Sequence, residues 1–249
     1  MSPNKRKQVS FGFSQVSPEE KTQKVQNVFD QSAEKYDIMN DIMSLGLHYE
    51  WKKKAIENIK LFPDDRILDL ACGTCDLAYY LLKKQPKAYV VATDPNQHMI
   101  ETGRDRLLDE GIYKNISFTR GFAEQLPFQT ESFHHAICAF GLRNFTDQKK
   151  GIESLFRVLK PGGQLVILEF AKPDNTIIDA CYQHYAQWIP TIGEWVSKEP
   201  KNYKYLIESI EKSIKPNALA QLMQQTGFET LPVTELLSGL VYIQRAIKC

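Results

Sequence analysis

The stretch Ile67-Leu68-Asp69-Leu70-Ala71-Cys72-Gly73-Thr74-Cys75-Asp76 constrains this chain more than any other. Residues of buried-strand character run into a turn of small residues, and an amphipathic helix over Leu77 to Lys84 follows at once. A strand, a tight turn and a helix N-terminus form a pocket for a polar ligand, because the first N–H groups of a helix have no partner within it. Asp69 stands in the strand end, where a carboxylate can face a cation or an amine. The next apolar run, Ala88 to Thr93, ends at Asp94, 21 residues beyond Gly73. An acid about 20 residues past a glycine turn is where nucleotide-binding βαβ units hold a ribose hydroxyl pair.

A single Gly73 with Cys75 two residues later is not the GxGxxG of a dinucleotide site. The pyrophosphate of NAD needs the close backbone approach that the missing glycines supply. A nucleoside without phosphates suits the turn better, and S-adenosylmethionine is the commonest. Cys72-Gly73-Thr74-Cys75 also has CxxC spacing, so a zinc or redox reading has to be weighed. No second pair and no Cys/His cluster completes four ligands, and no metal site is expected. Cysteines at 72, 75, 138, 181 and 249 form no disulfide pattern, which suits a reducing compartment.

Length and charge bound the rest. A chain of 249 residues can bury the core of one α/β domain, expected over residues 17–249. A net charge of +1 creates no global field that would draw in nucleic acid. No apolar run approaches the length of a membrane span and no signal-peptide pattern opens the chain, so a cytoplasmic protein is expected.

Residues 1–16 carry Lys5, Arg6 and Lys7 with little apolar content and read as a disordered arm. Ser17-Pro18-Glu19-Glu20 then starts a helix, with an N-cap serine, proline at the first helical position and glutamate three after the cap. Val25, Val28 and Phe29 give that helix an apolar stripe. Tyr36 to Trp51 is rich in aromatic, methionine and hydrogen-bonding groups, and with the first helix makes an N-terminal cap over 17–60. Packing on the sheet accounts for Met39, Met43 and Trp51, but less readily for Tyr36, Asn40 and His48. A lone histidine is more often structural than catalytic, although its chemistry suits proton transfer.

Beyond the opening unit, Gln97 to Glu110 reads as a helix, Ile116 to Thr119 as a strand and Phe122 to Phe128 as a loop. His134 to Phe140 is a fourth strand, whose adjacent histidines point to opposite faces and cannot both bind one metal. Gln148 to Leu159 is a helix stopped by Lys160-Pro161-Gly162-Gly163, and Gln164 to Phe170 is a fifth strand. This alternation predicts a mostly parallel sheet with helices on both faces and ligands at the carboxyl ends of the strands. Over 172–214 the alternation breaks into an aromatic-rich insertion with Tyr182, Tyr185, Trp188, Trp195, Tyr203 and Tyr205. Its place over the ligand end suits a substrate wall, and its composition equally suits a helical subdomain or a dimer surface. Pro216 to Thr226 is a last helix, and Glu229 to Val233 with Gly239 to Ile247 read as an antiparallel edge hairpin.

These motifs together resemble the class I S-adenosylmethionine-dependent methyltransferases, and more closely the ubiquinone/menaquinone biosynthesis C-methyltransferases. Tyr36-Asp37-x-Met39-Asn40 through Ser44, His48 and Trp51 matches that family's first signature, and Arg157-Val158-Leu159-Lys160-Pro161-Gly162-Gly163 through Leu168-Glu169-Phe170 its second. Phe140-Gly141-Leu142-Arg143-Asn144 and Tyr203-x-Tyr205-Leu206-x-Glu208-Ser209-Ile210 are family-like as well. The resemblance implies a Rossmann-like fold of about seven strands. It implies S-adenosylmethionine as methyl donor, with cofactor contacts at Gly73, Thr74, Asp94, Phe122, Ala123 and Ala139, beside the Asp69 already noted. The acceptor it implies is a ring carbon of a polyprenyl benzoquinol or naphthoquinol. Arg143, Asn144 and Tyr36 fall where the family activates its substrate, Arg143 as the main electrostatic group, and His48 is the proton acceptor that its chemistry suggests. A polyprenyl tail implies peripheral contact at the inner membrane surface, and the family context a homodimer or a quinone-biosynthesis assembly.

The chain departs from the family at four places. Cys75 replaces the third small residue of the turn, Phe122 a polar residue near adenine, Ala139 a serine on the fourth strand, and Phe170-Ala171 ends the second signature where serine is usual. Cysteine fits a left-handed backbone poorly. Losing a polar partner for adenine weakens binding by about 1 kcal/mol, unless the phenylalanine stacks on the base. Two alternatives therefore stand beside the main reading: a methyltransferase of another small molecule, and a weak or inactive relative that acts as a binding or scaffold protein.

Overall fold

The computed structural model describes residues 8–173, 175–197 and 200–249. Lys5, Arg6 and Lys7 lie outside the described residues, as does the side chain of Trp195. Residues 9–16, expected in a disordered arm, instead form a two-stranded antiparallel hairpin, β1 (Val9–Phe11) with β2 (Ser14–Val16). Gly12, at φ +56°, makes its turn. The arm's low apolar content concealed one anchor, Phe11, whose ring stacks on Tyr205.

The cap follows as α1 (Pro18–Ser32), α2 (Tyr36–Ser44) and α3 (His48–Glu57). Ser17 caps α1 through its hydroxyl, which accepts from Glu20 N at 3.2 Å, as the capping pattern predicts. Then come β3 (Arg66–Leu70), α4 (Asp76–Lys84), β4 (Tyr89–Asp94), α5 (Gln97–Asp109), β5 (Ile116–Arg120), β6 (Phe133–Ala139), α6 (Gln148–Val158) and β7 (Leu159–Phe170). The insertion is a helix pair, α7 (Thr176–Ser197) and α8 (Pro200–Glu211). The chain closes with α9 (Pro216–Thr226), β8 (Phe228–Thr230), β9 (Thr234–Leu236) and β10 (Val241–Lys248).

The main sheet has the order β5-β4-β3-β6-β7-β10-β8, with β9 also on β10. Its first five strands are parallel, and β10 runs antiparallel to β7, β8 and β9. The expected edge hairpin is therefore modified: one long strand faces two short ones. Pro232, between β8 and β9, has no N–H to give to the ladder, so the edge strand breaks there. Lys160 to Gly163 bulge out of β7, because Leu159 faces Phe133 while Gln164 already faces His135.

Alternate strand residues feed two cores. Ile67, Val90, Ile137 and Val166 pack on the face carrying the cap, α4, α7 and α8. Leu68, Val91, Ala136 and Leu165 pack on the face carrying α6 and α9. This period of two buries both faces of the sheet and leaves the strand tips as the place for polar chemistry. From β3 the chain steps to β4 and β5 on one side, then to β6 and β7 on the other, which opens a crevice above the carboxyl ends of β3, β4 and β6.

Candidate active site

The crevice is a cavity of about 740 Å³, its solvent-facing mouth included. Its floor is the turn after β3, with Leu70, Ala71 and Gly73; one wall is Asp94, Pro95, Asn96 and Met99. Phe122, Ala123 and Glu124 form a second wall, and Ala139, Phe140, Gly141 and Asn144 a third. Thr22, Val25, Gln26 and Phe29 of α1, with Tyr36 of α2, roof it. The turn is tight: Ala71, Gly73 and Cys75 have φ of 55°, 53° and 66°, and Phe140 opposite has 57°. Left-handed backbone at non-glycine residues is costly and gathers at ligand sites.

Asp94 accepts from Gly73 N at 3.0 Å and Asn96 N at 2.9 Å. Burial pushes its carboxyl up to about 6 against those hydrogen bonds. Gly73 takes its left-handed φ of 53° without side-chain strain, and a Cβ on it would come into ordinary contact with the Tyr36 ring at 3.4 Å. A carboxylate for a diol, a backbone turn and the apolar Met99, Phe122 and Ala123 make a donor set and shape that fit an adenosyl group. Neither Cys72 nor Cys75 lines the cavity. Cys75 turns toward α5, where a Cβ added to Gly103 would stand 2.6 Å from its Sγ, so the departure from glycine leaves the ligand space open.

Of the residues expected from sequence, Tyr36, Asn144, Gly73, Asp94, Phe122, Ala123 and Ala139 all line this cavity. Four others do not. Asp69 is wholly buried beneath the turn, and its Oδ2 accepts from Ala78 N at 3.1 Å in the first turn of α4. Burial raises its carboxyl to about 8, with Oδ1 left without a partner. Thr74 points to the cap and donates from Oγ1 to Asp37 Oδ1 at 2.7 Å.

His48 is buried at the corner between α2 and α3, its Nε2 3.0 Å from Asp41 Oδ1 and its ring 3.9 Å from that of Tyr49. Desolvation lowers its pKa. It ties α2 to α3 within the cap and lines no part of the cavity.

Arg143 lines a neighbouring cleft, with Val9, Ser10, Lys21, Tyr205 and Lys212. Its Nη1 is 2.6 Å from Glu169 Oε1 and donates to Phe140 O at 2.6 Å, and its backbone N–H reaches Glu169 Oε2 at 3.1 Å. The guanidinium expected as the main electrostatic group is one half of a buried ion pair, in which Glu169 holds it charged against its burial.

Sequence reasoning missed the groups that seat the roof. Buried Lys21 donates to Phe145 O at 2.7 Å, and Thr22 meets Thr146 Oγ1 at 2.8 Å, joining α1 to the loop after β6. Glu124 Oε1 accepts from Thr146 N at 2.7 Å and Asp147 N at 3.1 Å, fixing that loop from below. A lysine on the apolar side of an amphipathic helix, beside Val25 and Val28, was the available signal. Beneath the roof, Asp76 is held below its ordinary pKa, despite burial, by Lys52 at 2.5 Å and Arg106 at 2.5 Å. Arg106 also reaches Thr74 O at 3.2 Å and Asp37 Oδ2 at 3.6 Å. Among the described residues no cluster of His, Cys, Asp and Glu is arranged to hold a metal ion, and no helix is long and apolar enough to cross a membrane.

The chain is 43% identical over 244 residues to the ubiquinone/menaquinone biosynthesis C-methyltransferase UbiE of Coxiella burnetii, covering 97% of this chain and 98% of that one. It is 41% identical over 247 residues to the UbiE of Legionella pneumophila, covering 98% and 99%. In structure it matches a SAM dependent methyltransferase from Aquifex aeolicus with a TM-score of 0.61 and 17% identity, over 85% of this chain and 98% of that one, a likeness of fold. The sequence profile of the ubiE/COQ5 methyltransferase family matches residues 17–248, and the chain belongs to that family.

Proposed function

We propose that this protein transfers a methyl group from S-adenosylmethionine to a ring carbon of a polyprenylated quinol, in the biosynthesis of ubiquinone or menaquinone. The observation that carries the reading is one cavity that Asp94, the Gly73 turn and Asn144 line together, with Tyr36 packed over Gly73 in its roof. Near-full-length relatives named for this reaction support it. Asp94 would hold the ribose hydroxyls, Phe122 and Ala123 the base, and Gly73 and Ala139 the space between. Bound there, S-adenosylmethionine supplies an electrophilic methyl group on a sulfonium.

The protein's part is to make the acceptor carbon nucleophilic and to place it. A ring carbon beside a hydroxyl gains electron density when that hydroxyl loses its proton, so donors that favour the oxyanion accelerate transfer. Asn144 and Tyr36 are those donors. Burial pushes the Tyr36 phenol up to about 12, so near neutrality it gives a hydrogen bond and does not act as a base. Arg143, paired with Glu169, holds the Leu142–Asn144 turn and biases the field behind it. Thr74 and Asp69 support the turn from outside the cavity.

The prenyl tail places the acceptor in lipid, and exposed apolar groups lie on the cap and insertion: Ile38, Leu45, Leu47 and Trp188. Tyr185 of α7 hydrogen-bonds Ile42 O of α2, so these elements are joined. A cytoplasmic protein touching the inner membrane surface there, as a homodimer or within a quinone-biosynthesis assembly, belongs to the same proposal. Vesicle co-sedimentation and light scattering test those parts.

Calorimetry with S-adenosylmethionine, followed by methyl-transfer assays on demethylated prenyl quinols and a panel of soluble phenols, tests the activity. Micromolar binding with transfer to prenyl quinols alone is expected. Transfer to soluble acceptors instead would replace the substrate, and no binding at millimolar cofactor would leave only a scaffold.

A further inference from the structure

Asn144 has one acceptor and one NH2 donor group at the end of its side chain, and the two ends do opposite things to a phenol. A carbonyl oxygen facing the ring hydroxyl would hold its proton in place, whereas the NH2 would stabilise the oxyanion. What decides between them lies outside the cavity. Tyr205 of α8 is buried, and its hydroxyl donates to Asn144 Oδ1 at 2.9 Å. Burial raises the phenol, so it remains a donor throughout the neutral range. Tyr205 lines the neighbouring cleft and not the cofactor cavity, while Asn144 lines the cavity. The amide oxygen is therefore engaged on the far side, and the NH2 is left for the ligand.

Tyr205 is itself held by the N-terminal hairpin. The Phe11 ring stacks on it at 4.2 Å with an interplanar angle of 14°. One helical turn further along α8, Glu208 Oε2 accepts from Phe13 N at 3.1 Å. The hairpin turn closes on Glu208 through a glycine: a Cβ on Gly12 would lie 2.2 Å from Glu208 Oε2.

We infer that Tyr205 is a positioning residue for methyl transfer, fixing the Asn144 amide with its NH2 toward the acceptor oxygen, and that the hairpin of residues 9–16 is the brace that keeps Tyr205 in place. The inference rests on the quinol reading of the site. It gives the hairpin, which lines no part of the cofactor cavity, a role in the rate of transfer rather than in cofactor binding.

Tyr205→Phe keeps the ring and its stack and deletes only the hydroxyl. Its kcat with the prenyl quinol should fall about tenfold or more, as expected for a group acting in the transition state. Cofactor Kd by calorimetry should stay within about twofold, because the interaction lost lies outside the cofactor's contacts. The rise of kcat with pH should move to higher pH, since the oxyanion has lost its oriented donor. Asn144→Ala and the double variant close a cycle: the double should lose no more than Asn144→Ala alone. Gly12→Ala, which displaces the brace, should reproduce the kcat loss and the pH shift with Kd unchanged.

Unchanged kcat in Tyr205→Phe, or losses that multiply in the double variant, would overturn the inference. A separate readout covers failure of the quinol reading itself. The Asn144 side-chain NH2 signals in the 15N spectrum, identified by their loss in Asn144→Ala, should shift or broaden in Tyr205→Phe. A wild-type protein that binds S-adenosylmethionine yet methylates no quinol removes the substrate, and the amide signals still decide whether Tyr205 sets Asn144. Signals that do not move overturn the positioning role.

Discussion

Thr74 Oγ1 gives its hydrogen to Asp37 Oδ1 across 2.7 Å, and this bond joins the cap to the turn that faces the cofactor. Thr74 is buried, while Asp37 also lies 3.6 Å from Arg106 at a partly exposed edge. Thr74→Val preserves shape and removes the donor. It should destabilise the protein by about 1 kcal/mol, the net worth of one hydrogen bond, and should weaken S-adenosylmethionine binding by loosening Tyr36 over Gly73. Thermal unfolding and calorimetry check both. Unchanged cofactor affinity would mean that the roof does not depend on this link.

Asp94 predicts a pH dependence of binding. Its carboxyl titrates at about 6 in the folded protein, and only the ionised form accepts from both hydroxyls of a ribose. Cofactor affinity should therefore fall as pH drops through about 6. Asp94→Asn should bind more weakly and show no such fall. The measurement is Kd against pH by calorimetry, and a wild-type Kd flat between pH 5 and 8 would contradict the assignment.

Asp69 predicts a pH dependence of stability. Its pKa is raised to about 8 in the fold, against about 3.9 in an unfolded chain. Between those values the folded state binds more protons, so its contribution is fully present below about 4 and is lost as pH rises through 8. Asp69→Asn still offers an oxygen to Ala78 N and carries no charge to bury. The variant should match wild type in acid and gain on it at pH 9, as read from melting temperatures across the range. A variant that loses stability equally at pH 5 and pH 9 would show that the charge is not the cost.

Cys75 and Gly103 form a steric pair. A methyl group at 103 would stand 2.6 Å from Cys75 Sγ and 3.1 Å from the Thr74 carbonyl carbon. Gly103→Ala should destabilise by about 1–3 kcal/mol, the usual cost of overpacking. Adding Cys75→Gly should recover part of that loss, because it removes the sulfur and suits the left-handed φ of 66°. Denaturant unfolding of the two single variants and the double measures the coupling, and additive losses would refute it.

The sequence was most legible where one local rule decided the outcome. The β3 turn and α4 followed from a strand, a glycine and an amphipathic stripe. Ser17 and Pro18 marked α1 because capping involves residues three apart. Asp94 was found because the βαβ unit fixes its distance along the chain from Gly73. Asp69, Arg143 and His48 could be named as chemistry but not placed, since a side chain's direction depends on partners far away in sequence. Glu169, which neutralises Arg143, lies 26 residues on, at the end of another strand. The hairpin's tie to Glu208 spans 195 residues, and no periodicity carries such a pairing. Lys21 sits on the apolar side of α1, but the Phe145 carbonyl it serves lies 124 residues away.

The proline between β8 and β9 has a consequence for how this molecule meets others. A sheet margin offers neighbours a row of vacant N–H and C=O groups, and an unbroken row invites a second chain to extend it. Here the margin beside β10 is cut into two three-residue pieces by a residue that cannot donate. Docking by strand addition at that margin is discouraged, so self-association there would have to proceed through side chains.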